Sequence, residues 1–268
     1  MNRIYKKEDI IAQLGAMGAP KNSVVLMHSS LRLIGSIEGG AKALLDALIE
    51  YFTAEGGIFC VPTHTWANLK EDITLDMSDP KTCLGAFSDI AAADERAVRS
   101  QNPTHSMAVF GERERVAEFV KDELTLPSGT APESCYGKIY RDGGYILLVG
   151  VGHNRNTYLH CVEEMIGTAN RLTPEPYDVS VKLESGEIVK SKLRGHYTDF
   201  TKDVSLRFPK YETAFRYHRA IRDGFIGNAP AQLCDARIMK DVMEKIKTNS
   251  APDDPLANEL AFMPKLYV

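Results

Sequence analysis

"YILLVGVGHNRNTYLHCVEEM", residues 145–165, contains the clearest signal for a buried strand in this sequence of 268 residues. The run YILLV is apolar and short, as in a strand that is covered on both faces. A glycine-rich turn follows it, and we expect a helix over residues 157–167. A buried strand that leads through a turn into a helix is typical of α/β folds.

The amino-terminal part of the chain shows the same order of elements. "SVVLMHSS" (23–30) and "GIFCVPTH" (57–64) have the pattern of buried strands, and "AKALLDALIEYF" (41–52) between them has the pattern of a helix. A strand–helix–strand order favours a parallel pair of strands in one sheet.

Later segments differ from this order. "YDVSVKLESGEIVKSKL" (177–193) alternates apolar and polar residues, which predicts an antiparallel hairpin that turns at Gly186. Residues 211–249 are expected to be mostly helical. We therefore predict an α/β fold in one domain over residues 1–268. Its mixed, largely parallel central sheet is flanked by helices (α/β/α), with a small antiparallel hairpin and a helical carboxyl-terminal part.

Composition narrows the class of partner. The formal net charge is −4, which argues against a nucleic-acid partner because phosphate binding needs a basic surface. The five cysteines are scattered and never form a C-x-x-C pair, so neither a disulfide framework nor a zinc site is indicated. No signal peptide and no apolar window of about 18 residues is present. We expect a cytoplasmic protein with no membrane partner.

His160 and Glu163 are the first candidates for chemistry. On a helix they stand at i and i+3, so the two side chains share one face. A carboxylate that accepts from one imidazole nitrogen fixes the tautomer and raises the basicity of the other nitrogen, as a general base requires. Glu164 points about 100° away around the helix, where it is placed to attract a cationic group of a substrate.

Three further clusters of hydroxyl and imidazole groups stand at predicted strand boundaries, two at strand ends and one at the start of a strand. The carboxyl ends of strands in α/β sheets are where ligands usually bind. Each cluster alone is commonly structural, because such groups often satisfy backbone atoms at turns. Together they predict one shared pocket. The clusters are His28, Ser29 and Ser30; Thr63, His64 and Trp66; and Thr104, His105 and Ser106.

The sequence does not contain the motifs of several other catalytic classes. There is no G-x-G-x-x-G, P-loop or G-x-S-x-G pattern. "HCVEE" (160–164) departs from the H-x-x-E-H metalloprotease helix, since its fifth residue is Glu164. His160 and Glu163 could still join another histidine around zinc, so a metal-dependent hydrolase remains the competing interpretation, with no metal as the first expectation.

Several ordered motifs resemble the aminoglycoside 3-N-acetyltransferase family, the antibiotic N-acetyltransferases that do not have the GCN5-related fold. Two of them, "VVLMHSSLRLIG" (24–35) and "GGIFCVPTHTW" (56–66), are similar to the first two strands of that family. "RSQNPTHSMAVFG" (99–111) is similar to its P-T-H-S segment. The block "PESCYGKIYRDGGYILLVGVGHNRNTYLHCVEE" (132–164) is similar to its S-P-x-G, L-L-G-V-G and N-T-x-L-H-x-x-E motifs.

This resemblance implies acetyl transfer from acetyl-CoA to the 3-amino group of a 2-deoxystreptamine aminoglycoside, an antibiotic-resistance activity. It implies His160 as the catalytic base and Glu163 as the residue that orients it. The implied acetyl-CoA contacts are His28, Ser29, Ser30, Leu31, Thr104, His105, Ser106, Ser134, Tyr136 and Gly137. For the cationic acceptor we expect contacts from Glu164 and His64, and from Asp72 and Asp76 in the acidic loop "NLKEDITLDMSD" (68–79).

Two departures from the family pattern bear on the acceptor. Cys135 stands where the family usually has proline, and the residues after His160 read "HCVEEMIGTANRL" instead of the usual H-x-A-E-Y. A non-antibiotic amine is therefore the alternative acceptor for an enzyme of this family. We expect a small-molecule amine as the partner and a monomer or homodimer as the assembly.

Overall fold

A central sheet of seven strands organises the computed structural model, which describes residues 3–268. The strands of the described chain are β1 Ile4–Tyr5, β2 Val24–Ser29, β3 Ser36–Ile37, β4 Ile58–Pro62, β5 Leu75–Asp76, β6 Val98–Arg99, β7 Met107–Phe110, β8 Tyr145–Val149, β9 Tyr177–Lys182, β10 Ile188–Leu193, β11 Ile221–Ile226 and β12 Ala229–Asp235. The α-helices are α1 Lys7–Ala16, α2 Leu31–Ile34, α3 Gly40–Thr53, α4 Ala86–Ala92, α5 Arg113–Phe119, α6 Cys135–Arg141, α7 Tyr158–Met165, α8 Glu212–Tyr217 and α9 Ala236–Ser250. Short 3₁₀ helices cover Trp66–Asn68, His153–Arg155, Val204–Tyr211 and Pro264–Leu266.

The large sheet is mixed, and its strand order is β11-β12-β8-β2-β4-β7-β6. The three central strands β8, β2 and β4 are parallel, whereas the pairs at both edges are antiparallel. The predicted mixed α/β sheet is confirmed, but parallel pairing is confined to its centre. The central strands are buried and apolar over most of their length, as is β7 over Met107–Phe110, because their residues contribute to the cores on both faces of the sheet.

The two faces of the sheet build two separate cores, as alternation along β2 shows. Val24 and Leu26 pack into the core beneath α6, α7, α8 and α9. Val25 and Met27 pack into the core beneath α1, α3 and α4. Successive side chains of a strand point to opposite faces, so one buried strand serves both cores. This arrangement is the predicted layering of helices on both sides of a sheet.

The carboxyl-terminal third contains strands where the sequence predicts helix. Residues 221–235 form the antiparallel pair β11 and β12, and β12 pairs with β8 at the edge of the parallel centre. β11 reads "IRDGFI", and its Arg222, Asp223 and Gly224 are poor strand formers. The pairing with β12 therefore sustains this edge strand, and the helical part is limited to α8 and α9.

A smaller sheet of three strands has the order β10-β9-β5. β9 and β10 pair antiparallel with Ile188 opposite Lys182, and Gly186 turns between them with a φ of 87°. This φ lies in the left-handed region that glycine adopts without strain. The chain that leaves β10 then runs to the end of the large sheet where β2 and β8 finish.

None of the helices in the described part of the chain combines the length and the apolar composition that crossing a membrane requires.

Packing around α6 gives a first prediction. A Cβ atom built on Gly137 would lie 1.8 Å from the carbonyl oxygen of Pro132, whereas one built on Gly15 in α1 would meet nothing within 4 Å. We expect Gly137→Ala to lower the free energy of unfolding by about 1–3 kcal/mol, since the backbone of Pro132 must move. Gly15→Ala is the matched control and should raise it by about 0.5–1 kcal/mol, because alanine favours helix.

Urea titration followed by circular dichroism measures both effects. Equal midpoints for the two variants would contradict the close approach of α6 to Pro132.

Candidate active site

A cavity of about 1190 Å³ opens at one edge of the large sheet. The carboxyl ends of the parallel strands β2, β4 and β8 lie at this edge. Because β7 runs antiparallel to β4, with Met107 opposite Pro62, the residues just before β7 come to the same edge. The direction of the strands therefore brings together chain segments from four separate parts of the sequence, and ligands in α/β sheets usually bind at such an edge.

Five of the seven histidines line this cavity. Four of them form a row of neighbouring rings, which we call the histidine row: His64, His105, His196 and His160. The ring centroids of His64 and His105 are 4.6 Å apart, and those of His105 and His196 are 4.9 Å apart. His196 and His160 stack at 3.8 Å with an angle of 11° between their planes.

Three members of the histidine row are hydrogen-bonded to neighbouring hydroxyl groups. His64 Nε2 lies 2.7 Å from the hydroxyl of Tyr136. His105 Nδ1 lies 2.8 Å from Thr104 Oγ1, and His196 Nε2 lies 2.8 Å from Thr130 Oγ1. The ring of His160 meets aromatic groups instead, with His196 on its face and Phe208 edge-on at 4.8 Å. Within the histidine row, His160 is therefore the residue whose ring nitrogens are available to a ligand.

Burial keeps the imidazoles uncharged. It lowers the pKa of His28 to about 3, and it lowers the pKa of His196 to about 4 although Asp203 acts in the opposite direction. Burial and neighbouring imidazoles hold the pKa of His64, His105 and His160 well below the ordinary value. Each ring therefore carries one free lone pair at neutral pH, and His160 can accept a proton.

The predicted hydrogen bond between His160 and Glu163 is not present. Glu163 Oε1 accepts from Arg171 Nε at 2.6 Å, and Arg171 also binds both carboxylate oxygens of Asp254 at 2.7 and 2.9 Å. Burial raises the pKa of Glu163, and the Arg171 guanidinium opposes that shift. The helical spacing is as predicted, but a buried carboxylate pairs with the nearest full cation in preference to a neutral ring.

Glu164 is likewise turned away from the cavity. Its carboxylate accepts from Ser128 Oγ at 2.6 Å and from Thr130 Oγ1 at 2.7 Å. Two short hydrogen bonds from hydroxyl groups fix this side chain, so the predicted contact with a cationic substrate is replaced by an internal anchor.

Of the residues assigned to catalysis, acetyl-CoA or the acceptor, the structure brings eight to the cavity: His28, Ser29, Ser30, Leu31, His64, Thr104, His105 and His160; Trp66 of the second cluster also lines it, whereas Thr63 does not. The structure places eight others outside: Glu163, Glu164, Ser106, Ser134, Tyr136, Gly137, Asp72 and Asp76.

Each of the six outside residues not described above has another role or location. Ser106 Oγ donates to the carbonyl of Thr63 at 2.7 Å, and Asp76 pairs with Lys182 at 2.8 Å. Ser134 and Gly137 are buried at the start of α6, Tyr136 reaches the cavity only through its bond to His64, and Asp72 is exposed on its loop.

The sequence interpretation missed the charged rim of the cavity and one imidazole. Among the described lining residues, Asp203 is the one carboxylate, and three side chains carry positive charge: Arg155, Arg194 and Lys202. All four are exposed, so they stand at the mouth and not in the interior. His196 lies three residues after the end of β10 at Leu193, and the predicted hairpin gave no sign of where the chain leads beyond it.

A metal site has no ligand set here: within residues 3–268, no three His, Cys, Asp or Glu side chains are grouped to hold an ion. His28 Nε2 is buried without a hydrogen-bond partner in the described chain. That atom is a polar group of the cavity wall that a ligand can satisfy.

Comparison with known proteins identifies the family of the chain. A family model described as aminoglycoside 3-N-acetyltransferase matches residues 26–247. The chain belongs to this family. The prediction of a family member, and of an enzyme of the aminoglycoside N(3)-acetyltransferase class, is thereby confirmed.

Three similar proteins illustrate the family. The YokD protein of Bacillus subtilis, described as aminoglycoside N(3')-acetyltransferase-like, is 26% identical over 260 residues, 89% of this chain and 91% of that one. A histidine-to-alanine mutant of aminoglycoside acetyltransferase AAC(3)-IVa in complex with gentamicin is 26% identical, with a TM-score of 0.75 over 90% of this chain and 87% of that one. AAC-IIIb in a binary complex with CoASH shares the fold at 18% identity, with a TM-score of 0.74 over 89% and 94% of the chains.

The buried ion pair of Glu163 gives a second prediction. Side chains of Arg171 and Glu163 are 3% and 1% exposed, so Arg171→Met leaves an unpaired carboxylate in the interior. We expect the free energy of unfolding to fall by about 3–5 kcal/mol. Adding Glu163→Gln should recover part of this loss, because the amide carries no charge.

Lys192→Met is the control, since Lys192 pairs with Asp178 in solvent and should change the free energy by less than about 0.5 kcal/mol. Denaturant midpoints measure all three variants. A loss below 1 kcal/mol for Arg171→Met would show that Glu163 does not depend on this partner.

Proposed function

We propose that this protein transfers the acetyl group of acetyl-CoA to an amine, with the 3-amino group of a 2-deoxystreptamine aminoglycoside antibiotic as the acceptor and His160 as the general base. One observation carries the proposal: in a chain of this family, His160 presents an uncharged ring without a hydrogen-bond partner to the cavity. The gentamicin complex of one relative and the CoASH complex of another support the two substrates.

The charged rim of the cavity and the wall at the end of β2 fit acetyl-CoA, the acetyl donor. Acetyl-CoA supplies the acetyl group as a thioester and carries phosphate groups that need cations or backbone N–H groups. Arg155, Arg194 and Lys202 are the cations of the rim. In the wall, Ser29 and Ser30 offer hydroxyl groups, and His28 Nε2 offers a buried atom that still lacks a partner.

His160 performs the proton transfer in this proposal. Its neutral ring takes the proton that the acceptor amine loses as the amine attacks, and a well-placed base contributes about 10²–10⁴-fold to the rate. Glu163 supports α7 through Arg171 and makes no contact with the ring, so we assign it no part in the proton transfer.

The charge of the cavity favours a second candidate, an amine with fewer positive charges than an aminoglycoside. An aminoglycoside carries several ammonium groups, and each one that loses water needs a carboxylate or another acceptor. Within the described lining, Asp203 alone supplies a carboxylate, and it stands at the rim beside three cations. An enzyme of the same family that acts on a non-antibiotic amine fits this balance.

Replacing the base tests the proposal directly. We expect His160→Ala to lower kcat/KM for acetyl-CoA-dependent acetylation by about 10²–10⁴-fold, because the amine loses its proton acceptor. His218→Gln is the control, since His218 bonds to the carbonyl of Tyr267 outside the cavity and should leave the rate unchanged. Chromatography of released CoA, with gentamicin as the acceptor, measures both.

A rate for His160→Ala within threefold of the parent would remove His160 from the mechanism. Retained CoA affinity in the inactive variant, measured by calorimetry, would locate the defect in the chemical step.

A variant of Asp203 tests whether the acceptor is an aminoglycoside. Its carboxylate accepts from the backbone N–H of Ser205 at 2.9 Å, and asparagine can keep that bond while removing the charge. With an aminoglycoside acceptor we expect Asp203→Asn to raise KM about two- to fivefold, the effect of an exposed charge pair. Asp178→Asn, at an exposed residue that does not line the cavity, should leave KM unchanged.

Initial rates with gentamicin and with a singly charged amine of similar size measure this effect. If the enzyme acetylates the singly charged amine and not gentamicin, the acceptor is the second candidate, a non-antibiotic amine.

A further inference from the structure

The ring of His160 is held without a hydrogen bond. His196 covers one face at 3.8 Å, nearly parallel, and Phe208 meets the ring edge-on at 4.8 Å. Such contacts fix the plane of a ring, since face and edge geometries are favoured over others. The orientation that the sequence assigns to Glu163 is therefore supplied by two aromatic side chains.

His196 is in turn fixed by a chain of hydrogen bonds, which we call the anchor chain: Thr130, Glu164 and Ser128. Thr130 Oγ1 lies 2.7 Å from Glu164 Oε1 and 2.8 Å from His196 Nε2. A carboxylate only accepts, so the single hydroxyl hydrogen of Thr130 goes to Glu164. Thr130 must then accept from His196, which places the proton of His196 on Nε2.

We propose that His196, held by the anchor chain, is the positioning residue of His160. This inference rests on the proposed function, in which His160 is the base. The anchor chain keeps the face of the neutral His196 ring against His160 while His160 gains its proton. The parallel contact fixes the plane of the His160 ring, and this positioning is the contribution that we assign to His196.

The other charged and titratable groups near the pair do not take this role. His196, Arg171 and His64 all disfavour the protonated form of His160, so charge does not distinguish His196 from the other two groups. Arg171 acts from a loop and His64 from the end of β4. Asp203, at the start of the 3₁₀ helix Val204–Tyr211, acts on His196. His196 alone lies in parallel contact with the base.

Three variants separate the ring face from the ring nitrogens. His196→Ala removes both and should lower kcat about 10²-fold, the usual effect of misplacing a catalytic group by about 1 Å. His196→Phe keeps a flat face and should retain kcat within about fivefold of the parent. Thr130→Val cuts the anchor chain and should lower kcat about three- to tenfold. KM for acetyl-CoA should change less than twofold in each.

Steady-state kinetics gives kcat and KM, CoA calorimetry and thermal midpoints report intact folding, and His218→Phe is the control outside the cavity. Rescue by phenylalanine is a result that a merely structural role of the nitrogens would not give. The inference is overturned if His196→Ala keeps kcat within threefold, or if His196→Phe is as slow as His196→Ala. If His196→Ala does not fold, Thr130→Val decides: an unchanged kcat overturns the inference.

Different results would refute the two proposals, His160 as the base and His196 as its positioning residue. Activity retained by His160→Ala would refute the base itself. Loss of activity in His160→Ala together with full activity in His196→Ala would refute only the positioning role.

Discussion

Burial keeps the imidazoles of the cavity uncharged, and the rest of the site depends on this condition. Two unit charges 4 Å apart repel by about 4 kcal/mol at the effective dielectric constant near a protein surface. Rings whose centroids are 3.8–4.9 Å apart cannot all be protonated at that cost. Because burial lowers each pKa, the rings instead attract one another as neutral aromatic groups and leave lone pairs available.

The sequence predicts the centre of this structure well because the signal there is local. β2, β4 and β8 are short apolar runs, and their ends carry His28, His64 and the turn before α7. The segment before β7 was also assigned to the pocket, and it lies there because β7 is antiparallel to β4. The direction in which two strands pair is not encoded in any single segment. For the same reason β11 and β12 were missed: their strand character comes from their neighbours.

The site shows a second limit of local patterns. A spacing of three residues correctly puts His160 and Glu163 on one side of α7, but it cannot reveal that Arg171 lies closer to the carboxylate. His196 stands 36 positions from His160, in the segment after β10, whose path the alternation of β9 and β10 does not define. Contacts made by such distant residues follow from tertiary packing, so the partner of the base could not be predicted.

The two adjacent glutamates on α7, Glu163 and Glu164, both bond to groups other than the His160 ring. Glu163 neutralises Arg171, and Glu164 reaches the histidine row only through the hydroxyl of Thr130. A carboxylate bonded directly to His196 would raise its basicity and make it a second base beside His160. An intervening hydroxyl fixes the tautomer with a weaker electrostatic effect. The interior of the described cavity thus holds uncharged imidazoles and no carboxylate. This balance fits the proposed transfer to a neutral amine, with any further ammonium groups of the acceptor at the rim beside Asp203 and solvent.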